Sequence, residues 1–260
     1  MAKARTIDAV VRELCLAFPE AEEFTSHGSP NFRATKGRTF ATYLVNHHGD
    51  GRIALWLPMP PGGQEQNVKL QPKHFFVPPY VGPRGWLGVN LDSGLDWKRI
   101  AALVRAAYEH VSPPKLVARS TKTPVVAPPD AKAKVADLDP MASAGAQRAI
   151  AKLRAICLAL PEATEGTQFG SPVFLAGKRS FAIAYDYGEG LQLGFWVGVP
   201  KQALYTADPR FSIPKYMGHN GWIAFAPGAK PNWDEVADLA RQSYRHFALK
   251  RMLKQLDGFA

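Results

Sequence analysis

Residues Leu14–Pro30 read LCLAFPEAEEFTSHGSP and residues Ile156–Pro172 read ICLALPEATEGTQFGSP, so one stretch of sequence occurs twice. The two copies lie 142 positions apart without a gap. A second pair, FFVPPYVGPRGW at Phe75–Trp86 and FSIPKYMGHNGW at Phe211–Trp222, repeats at a separation of 136 positions. A period of this length is typical of a duplicated domain and too long for a solenoid repeat. The sequence therefore predicts two copies of one domain.

Helix and strand signals follow the same order in both copies. An apolar stripe at helical spacing comes first, short strands joined by tight turns follow, and a second helix begins at Trp97 or Trp233. We predict an α+β fold of two tandem domains, each an antiparallel sheet covered on one face by an N-terminal and a C-terminal helix. The first strand of the first copy is predicted at Asn31–Thr35, and Pro58–Gln71 is predicted to be irregular.

The segment between the copies has the composition of a linker. Residues 118–141 read ARSTKTPVVAPPDAKAKVADLDPM, which is rich in Pro, Ala and Lys and has no apolar periodicity. We therefore predict a first domain over residues 1–117, a linker over 118–141 and a second domain over 142–260.

Composition bounds the class of protein. Of the 260 residues, 46% are hydrophobic and 21% are charged, as in globular chains and unlike disordered ones. The net charge of +10 favours a polyanionic partner such as DNA. Basic proteins that bind no polyanion are also common, so charge alone leaves both interpretations open.

Cysteine use and hydropathy bear on the compartment. The two cysteines, Cys15 and Cys157, are equivalent positions on apolar helix faces, which indicates buried thiols in a reducing compartment. The N-terminal residues MAKARTID lack the apolar stretch of a signal peptide, and no window reaches the run of about 18 apolar residues that a membrane helix requires. We predict a cytoplasmic protein without membrane contact.

Three repeated motifs resemble the MmcQ/YjbR family. They are the P-E-A…G-S-P-x-F run, the Tyr-x-Gly-x-x-Gly-Trp stretch and the Asp/Asn-Trp helix start, and each occurs in both copies. The resemblance covers nearly all of the chain outside the linker. It implies a fold similar to that of frataxin-like CyaY proteins, and a DNA-binding role in which two loops of each domain act as wings. Members of the family are usually single-domain, so a tandem pair departs from the pattern.

The sequence carries no recognisable catalytic or metal motif. It contains no C-x-x-C, H-E-x-x-H, P-loop or G-x-S-x-G. Most histidines of one copy correspond to a different residue type at the equivalent position of the other copy. Ser29 and Ser171 recur before a proline, which is typical of a turn. We therefore expect a non-enzymatic protein with no metal and no cofactor. Iron binding by analogy with frataxin is disfavoured because the first helices carry basic residues.

Basic residue types are retained better than acidic ones. Four pairs agree between the copies: Arg12/Arg154, Arg38/Arg179, Arg105/Arg241 and Lys115/Arg251. Cationic or hydrogen-bonding residues also mark two predicted turns of each copy, where they could contact phosphates. We predict the following nucleic-acid-binding residues: Lys36, Arg38, Lys73, Arg84, Lys178, Arg179, Lys215, His219 and Asn220.

Three functions follow from these observations. The first is a weakly sequence-specific DNA-binding protein, a monomer whose two domains act as a pseudo-dimer. The second is a module that binds a protein partner or a small ligand on the open sheet face or in an inter-domain groove, because aromatic residues are abundant. The third is an enzyme whose site is unrecognised, which the poor agreement of acidic and histidine positions disfavours.

Overall fold

The computed structural model describes residues 4–228 and 230–258. Met1–Lys3 lie outside these residues. They begin the N-terminal stretch MAKARTID, from which we predict that a signal peptide is absent. The chain divides into two compact units between Leu138 and Asp139. Among the described residues, no helix is both long enough and apolar enough to cross a membrane.

The first domain has six strands and five α-helices among its described residues. In chain order these are α1 (Ile7–Leu16), β1 (Ala21–Ser26), β2 (Ser29–Ala34), β3 (Thr39–Val45), β4 (Ile53–Pro58), α2 (Gly63–Leu70), β5 (Phe75–Phe76), β6 (Trp86–Asn90), α3 (Trp97–Val111), α4 (Pro114–Arg119) and α5 (Val135–Leu138). Short 3₁₀ helices occupy His47–Gly49 and Gly82–Arg84.

The second domain repeats this order after a 3₁₀ helix at Pro140–Ala142. Its elements are α6 (Ala144–Leu158), β7 (Ala163–Gln168), β8 (Ser171–Ala176), β9 (Arg179–Tyr185), β10 (Gln192–Trp196), α7 (Val199–Tyr205), β11 (Phe211–Ser212), β12 (Trp222–Phe225), α8 (Trp233–Phe247) and α9 (Lys250–Gly258). A 3₁₀ helix at Gly218–Asn220 precedes β12.

Each domain is built on a six-stranded antiparallel sheet. The strand orders are β1-β2-β3-β4-β6-β5 and β7-β8-β9-β10-β12-β11, so the topology is the same in both. The β1–β2 hairpin turns through His27 and Gly28 at φ 51° and 78°, and the β7–β8 hairpin turns through Phe169 and Gly170 at φ 49° and 76°. Two consecutive positive φ values are typical of a two-residue type I′ turn, which explains why a glycine recurs at the second turn position.

Two helices cover one face of each sheet, as the sequence predicts. In the first domain α1 and α3 contribute Leu14 and Val104 to a core that also contains Phe32, Phe40 and Leu55 from the sheet. In the second domain α6 and α8 contribute equivalent residues to a separate core. A smaller apolar cluster lies on the opposite face of each sheet. The predicted α+β architecture of tandem domains is confirmed.

A buried tyrosine fixes the repeated Pro-Glu segment in each domain. The Tyr108 hydroxyl, on α3, donates to the carbonyl of Pro19 at 2.7 Å. The Tyr244 hydroxyl, on α8, donates to the carbonyl of Pro161 at 2.5 Å. Both tyrosines are fully buried. The Pro-Glu motif therefore marks the point where the last long helix holds the end of the first.

The glutamate of the same motif forms an ion pair with a C-terminal arginine. Arg119 of α4 contacts Glu20 at 2.5 Å, and Arg251 of α9 contacts Glu162 at 2.8 Å. Arg119, and not the Lys115 indicated by sequence alignment, is therefore the spatial counterpart of Arg251. Hydrogen bonding from Arg251 lowers the pKa of Glu162.

Several elements differ from the sequence prediction. The strands β1 and β7 were not predicted, because none of their side chains is buried and most of them are polar. The stretch predicted to be irregular contains α2, whose buried residues are the polar Gln64 and Asn67. The helix predicted to begin at Trp233 ends at Phe247, and a separate helix, α9, follows from Lys250.

The inter-copy segment packs on the first domain over residues 118–138. Val126, Ala133 and Val135 contact the first core. The backbone N–H of Arg5 donates to the Asp130 carboxylate at 2.7 Å, and the Asp130 N–H donates back to the Arg5 carbonyl. These contacts give this proline-rich stretch a defined position on the first domain.

Each core contains one cysteine. Cys15 and Cys157 are fully buried and unbonded to each other. Burial raises the pKa of both thiols, so the reactive thiolate is disfavoured while the domain is folded.

Candidate nucleic-acid interface

The turn before the third strand of each domain exposes two cations. Lys36 and Arg38 lie between β2 and β3, Lys178 lies between β8 and β9, and Arg179 is the first residue of β9. Within residues 4–228 and 230–258, no carboxylate lies within 4.0 Å of the charged groups of Arg38, Lys178 or Arg179. The backbone N–H of Lys36 donates to Glu22 at 3.1 Å and lowers the pKa of that carboxyl.

Other retained cations are neutralised inside the fold. Arg12 pairs with Glu23 at 2.9 Å, and its counterpart Arg154 pairs with Glu165 at 2.7 Å. Arg105 contacts Glu109 at 2.7 Å. Agreement between the copies at Arg12 and Arg154 therefore reflects an ion pair that both domains form, whereas Arg38, Lys178 and Arg179 have no such partner among the described residues.

The second predicted turn of each copy, which we call the later hairpin, contains the 3₁₀ helix at Gly82–Arg84 or at Gly218–Asn220. It is held against the sheet in both domains. Gln64 Nε2 donates to the carbonyls of Gly82 and Trp86, at 2.8 and 2.5 Å. Gln202 makes the same two bonds in the second domain, at 2.7 and 2.8 Å. These buried amides were missed in the sequence because α2 and α7 were not predicted. They fix the 3₁₀ helix before β6 and before β12, and so limit how far a wing can project.

The predicted residues of the first-domain hairpin lie apart. Arg84 is exposed on the 3₁₀ helix that precedes β6. Lys73 is exposed at the opposite end of β6, where its carbonyl accepts a hydrogen bond from Asn90 at 3.2 Å. The five residues of β6 span about 17 Å, so Lys73 and Arg84 belong to opposite ends of the sheet.

In the second domain the hairpin residues also separate. Lys215 forms an exposed ion pair with Glu189 at 3.2 Å. His219 and Asn220 are exposed on the 3₁₀ helix that precedes β12. Of the three, only Asn220 lines the groove described next.

The second domain has a groove of about 760 Å³ at the end of its sheet where β9 begins and β10 ends. The groove is lined by Gln168, Lys178, Arg179, Ser180, Ile183, Trp196, Met217, Asn220, Trp222, His246 and Phe247. Three of the residues predicted to bind nucleic acid, Lys178, Arg179 and Asn220, thus meet at one site. Its aromatic members were not predicted as a site.

Two of these aromatic residues form a stacked pair, which we call the platform. The imidazole of His246 lies parallel to the indole of Trp196, with ring centroids 3.4 Å apart and planes 9° apart. Trp196 Nε1 donates to the carbonyl of Asn220 at 2.9 Å, which fixes the indole in its plane. His246 remains exposed.

A buried hydroxyl positions the backbone of the platform. The N–H of Trp196 donates to Ser243 Oγ at 3.0 Å, and that hydroxyl donates to the carbonyl of Phe181 at 2.5 Å. Ser243 is fully buried in α8 and bridges the ends of β9 and β10. It satisfies two backbone groups at a point where the two strands do not pair directly.

The first domain has other residues at the platform positions. Pro58 pairs with Trp86 as Trp196 pairs with Trp222, so a proline stands where the second domain has its indole. Ala107, in α3, takes the position of Ser243 relative to the buried tyrosine. Proline has no N–H, so no hydroxyl partner is needed there.

A different aromatic cluster occupies the β3–β4 turn of the first domain. His47 packs on Trp56 with ring centroids 4.7 Å apart and stacks on His48 at 3.9 Å. The Tyr80 hydroxyl lies 3.2 Å from His48 Nδ1. Burial, with a contribution from the neighbouring His48, lowers the pKa of His47 to about 4.

The matching turn of the second domain contains tyrosines instead. Tyr187 packs on Tyr185 with ring centroids 4.6 Å apart and on Tyr216 at 5.4 Å. Burial raises the pKa of Tyr187. Among the described residues of either domain, no group of three or more His, Cys, Asp or Glu side chains could hold a metal ion.

Duplication, two helix-backed antiparallel sheets and a basic groove define a tandem α+β protein whose two copies have diverged at both ends of the sheet. The chain belongs to the YjbR family, whose model matches residues 16–110 and 158–246. No curated protein matches the sequence. One similar solved structure is that of Deinococcus radiodurans protein DR2400, with the family-model domain DUF419. It is 18% identical with a TM-score of 0.35, and the match covers 48% of this chain and 86% of that one.

Proposed function

We propose that this protein is a non-enzymatic DNA-binding protein, and that its second domain makes the principal contact. The observation that carries this proposal is the groove in which Lys178, Arg179 and Asn220 converge. The two cations have no carboxylate within 4.0 Å among the described residues, so a phosphate would meet uncompensated charge.

The expected mode of binding is electrostatic. Contacts from lysine and arginine to phosphates fix position but carry little sequence information. A site with about two to four phosphate contacts loses affinity steeply as salt rises, because each contact releases condensed counterions. We therefore expect weak, salt-sensitive and weakly sequence-specific binding.

The test is fluorescence anisotropy with labelled DNA across a salt series. Lys178→Glu/Arg179→Glu reverses the two groove cations, and Lys36→Glu/Arg38→Glu is the matched control in the first domain. We expect the second-domain variant to lose at least tenfold in affinity and the first-domain variant to lose much less. Equal losses would distribute binding over both domains, and no binding by the unaltered protein at low salt would reject the proposal.

A second candidate function is the binding of a small ligand or peptide on the open sheet face. It is favoured by the apolar floor of the same groove, which includes Ile183, Met217 and Trp222. If DNA does not bind, thermal shift with aromatic carboxylates and short aromatic peptides tests this alternative. A rise in the second domain's melting temperature that Trp222→Ala abolishes would support it, and no shift would reject it.

A further inference from the structure

We infer that the platform of Trp196 and His246 stacks against an unpaired base, so that the second domain is a single-strand-binding site and the first is not. This inference rests on the proposed function, because it concerns the form of nucleic acid that the same groove accepts.

The platform has the geometry of a stacking surface. One face of the His246 imidazole lies on Trp196 at 3.4 Å and 9°, and Phe247 packs against the imidazole nearly at a right angle, with ring centroids 4.6 Å apart. His246 is exposed, so a ligand ring can approach it. Stacking on aromatic side chains is the main sequence-tolerant contact in single-strand binding, because every base has a flat π-face.

The rest of the groove provides the other contacts that a nucleotide requires. Lys178 and Arg179 line it at the start of β9, and the amides of Gln168 and Asn220 line it as well. Cations contact the phosphodiester, and amides can hydrogen-bond the edge of a base. The volume of about 760 Å³ lies in the range of small-ligand sites and accommodates a nucleotide.

The geometry favours single strands over duplex. A base inside a duplex is stacked on both faces by its neighbours, so only an unstacked base can meet the His246 ring. Duplex binding would use the cations alone.

The first domain lacks the same surface. His110 corresponds to His246, but Pro58 stands where Trp196 would support it, and Val111 stands in place of Phe247. His110 therefore provides a control, because it is a histidine at the equivalent position without the supporting aromatic rings.

The experiment compares a labelled oligodeoxythymidylate with its duplex, using the full chain and two variants. Trp196→Leu/His246→Ala removes the platform, and His110→Ala is the control. We expect the unaltered protein to bind the single strand at least fivefold more tightly than the duplex. The platform variant should lose about tenfold on the single strand only, with an unchanged salt slope, because stacking releases no counterions. His110→Ala should bind as the unaltered protein does.

A second measurement does not depend on the variant's folding. Ultraviolet crosslinking of the unaltered protein to a strand containing 5-bromodeoxyuridine should yield peptides containing Trp196 or His246. Crosslinks confined to the first domain would overturn the inference.

The outcomes separate the inference from the proposed function. Equal binding of duplex and single strand, with loss only in Lys178→Glu/Arg179→Glu, would reject stacking but keep DNA binding. Absence of binding to either form at low salt would reject both.

Discussion

The two domains share the contacts that hold the Pro-Glu segment and differ at both ends of the sheet. In both, a tyrosine of the last long helix donates to the carbonyl of a Pro-Glu segment, and an arginine pairs with the following glutamate. At the groove end, Pro58 of the first domain corresponds to the platform residue Trp196 of the second. The copies have thus kept these contacts of the fold and differ in the residues that line the groove.

The altered positions form a coupled set. The backbone N–H of Trp196 donates to Ser243 Oγ, whereas Pro58 has no N–H and Ala107 stands at the position of the serine. A buried N–H without a partner costs about 1–3 kcal/mol, so a residue other than proline at position 196 requires an acceptor such as the Ser243 hydroxyl. The difference between the domains is therefore an exchange of linked residues.

The largest expected effect concerns the shared tyrosine. Tyr108→Ala and Tyr244→Ala each remove a fully buried ring and should destabilise their own domain by about 3–5 kcal/mol. Urea unfolding of the full chain, with hydrogen exchange to assign each transition, measures both. Tyr→Phe at either position should cost only about 1 kcal/mol. Unequal losses in the two alanine variants would contradict the view that the cores are equivalent.

The next largest effect is a difference in stability loss between alanine substitutions at two equivalent glycines. Both have positive φ, 79° at Gly85 and 89° at Gly221. A Cβ on Gly221 would lie 2.8 Å from Gly198 Cα, whereas one on Gly85 meets nothing closer than the Met59 carbonyl at 3.8 Å. Gly85→Ala should cost about 1 kcal/mol, from its backbone conformation. Gly221→Ala should cost about 2–3 kcal/mol, because it adds overpacking. Thermal unfolding tests the order, and equal costs would show that the second-domain backbone relaxes freely.

A smaller effect tests the coupled set. Ser243→Ala leaves the Trp196 N–H and the Phe181 carbonyl without their partner and should cost about 1–2 kcal/mol. Trp196→Pro/Ser243→Ala, which restores the first-domain pair, should be less destabilised than the sum of its single variants. Additive losses in a double-mutant cycle would mean that the two positions are independent.

The smallest effect is a pH dependence confined to the first domain. Burial lowers the pKa of His47 from 6.5 to about 4, so the unfolded chain takes up a proton more readily than the folded one. The stabilisation from His47 is therefore complete above pH 6.5 and is lost as the pH falls toward 4. Between pH 7 and pH 5, the free energy of unfolding should fall by about 1 kcal/mol less in His47→Phe than in the unaltered chain, because solvent screens the partly exposed ring.

Chemical denaturation at pH 7 and pH 5 would reveal that change. The second domain is the internal reference, because tyrosines occupy its matching turn. An identical pH dependence in His47→Phe and the unaltered chain would contradict the assignment.

The sequence was sufficient for the duplication and the helix-backed sheets, because apolar periodicity and repeated turn residues encode both. It was insufficient for β1 and β7, whose mostly polar residues are exposed or half-exposed and follow no apolar alternation. The basic turn could be predicted, since its cations recur. The platform could not be predicted, because a comparison of the copies retains only positions where both have the same residue type. Trp196 is discarded, since its equivalent in the first copy is Pro58. The parallel stack on His246 depends on contacts between residues 50 positions apart.

One buried thiol in each core makes the two domains separately observable. Cys15 and Cys157 occupy equivalent positions, and burial suppresses the thiolate of each. A thiol-reactive probe can label either only when its own domain opens, so the labelling rate follows the opening equilibrium. Peptide mapping distinguishes the two labelling sites. A single time course would therefore compare how often each domain opens.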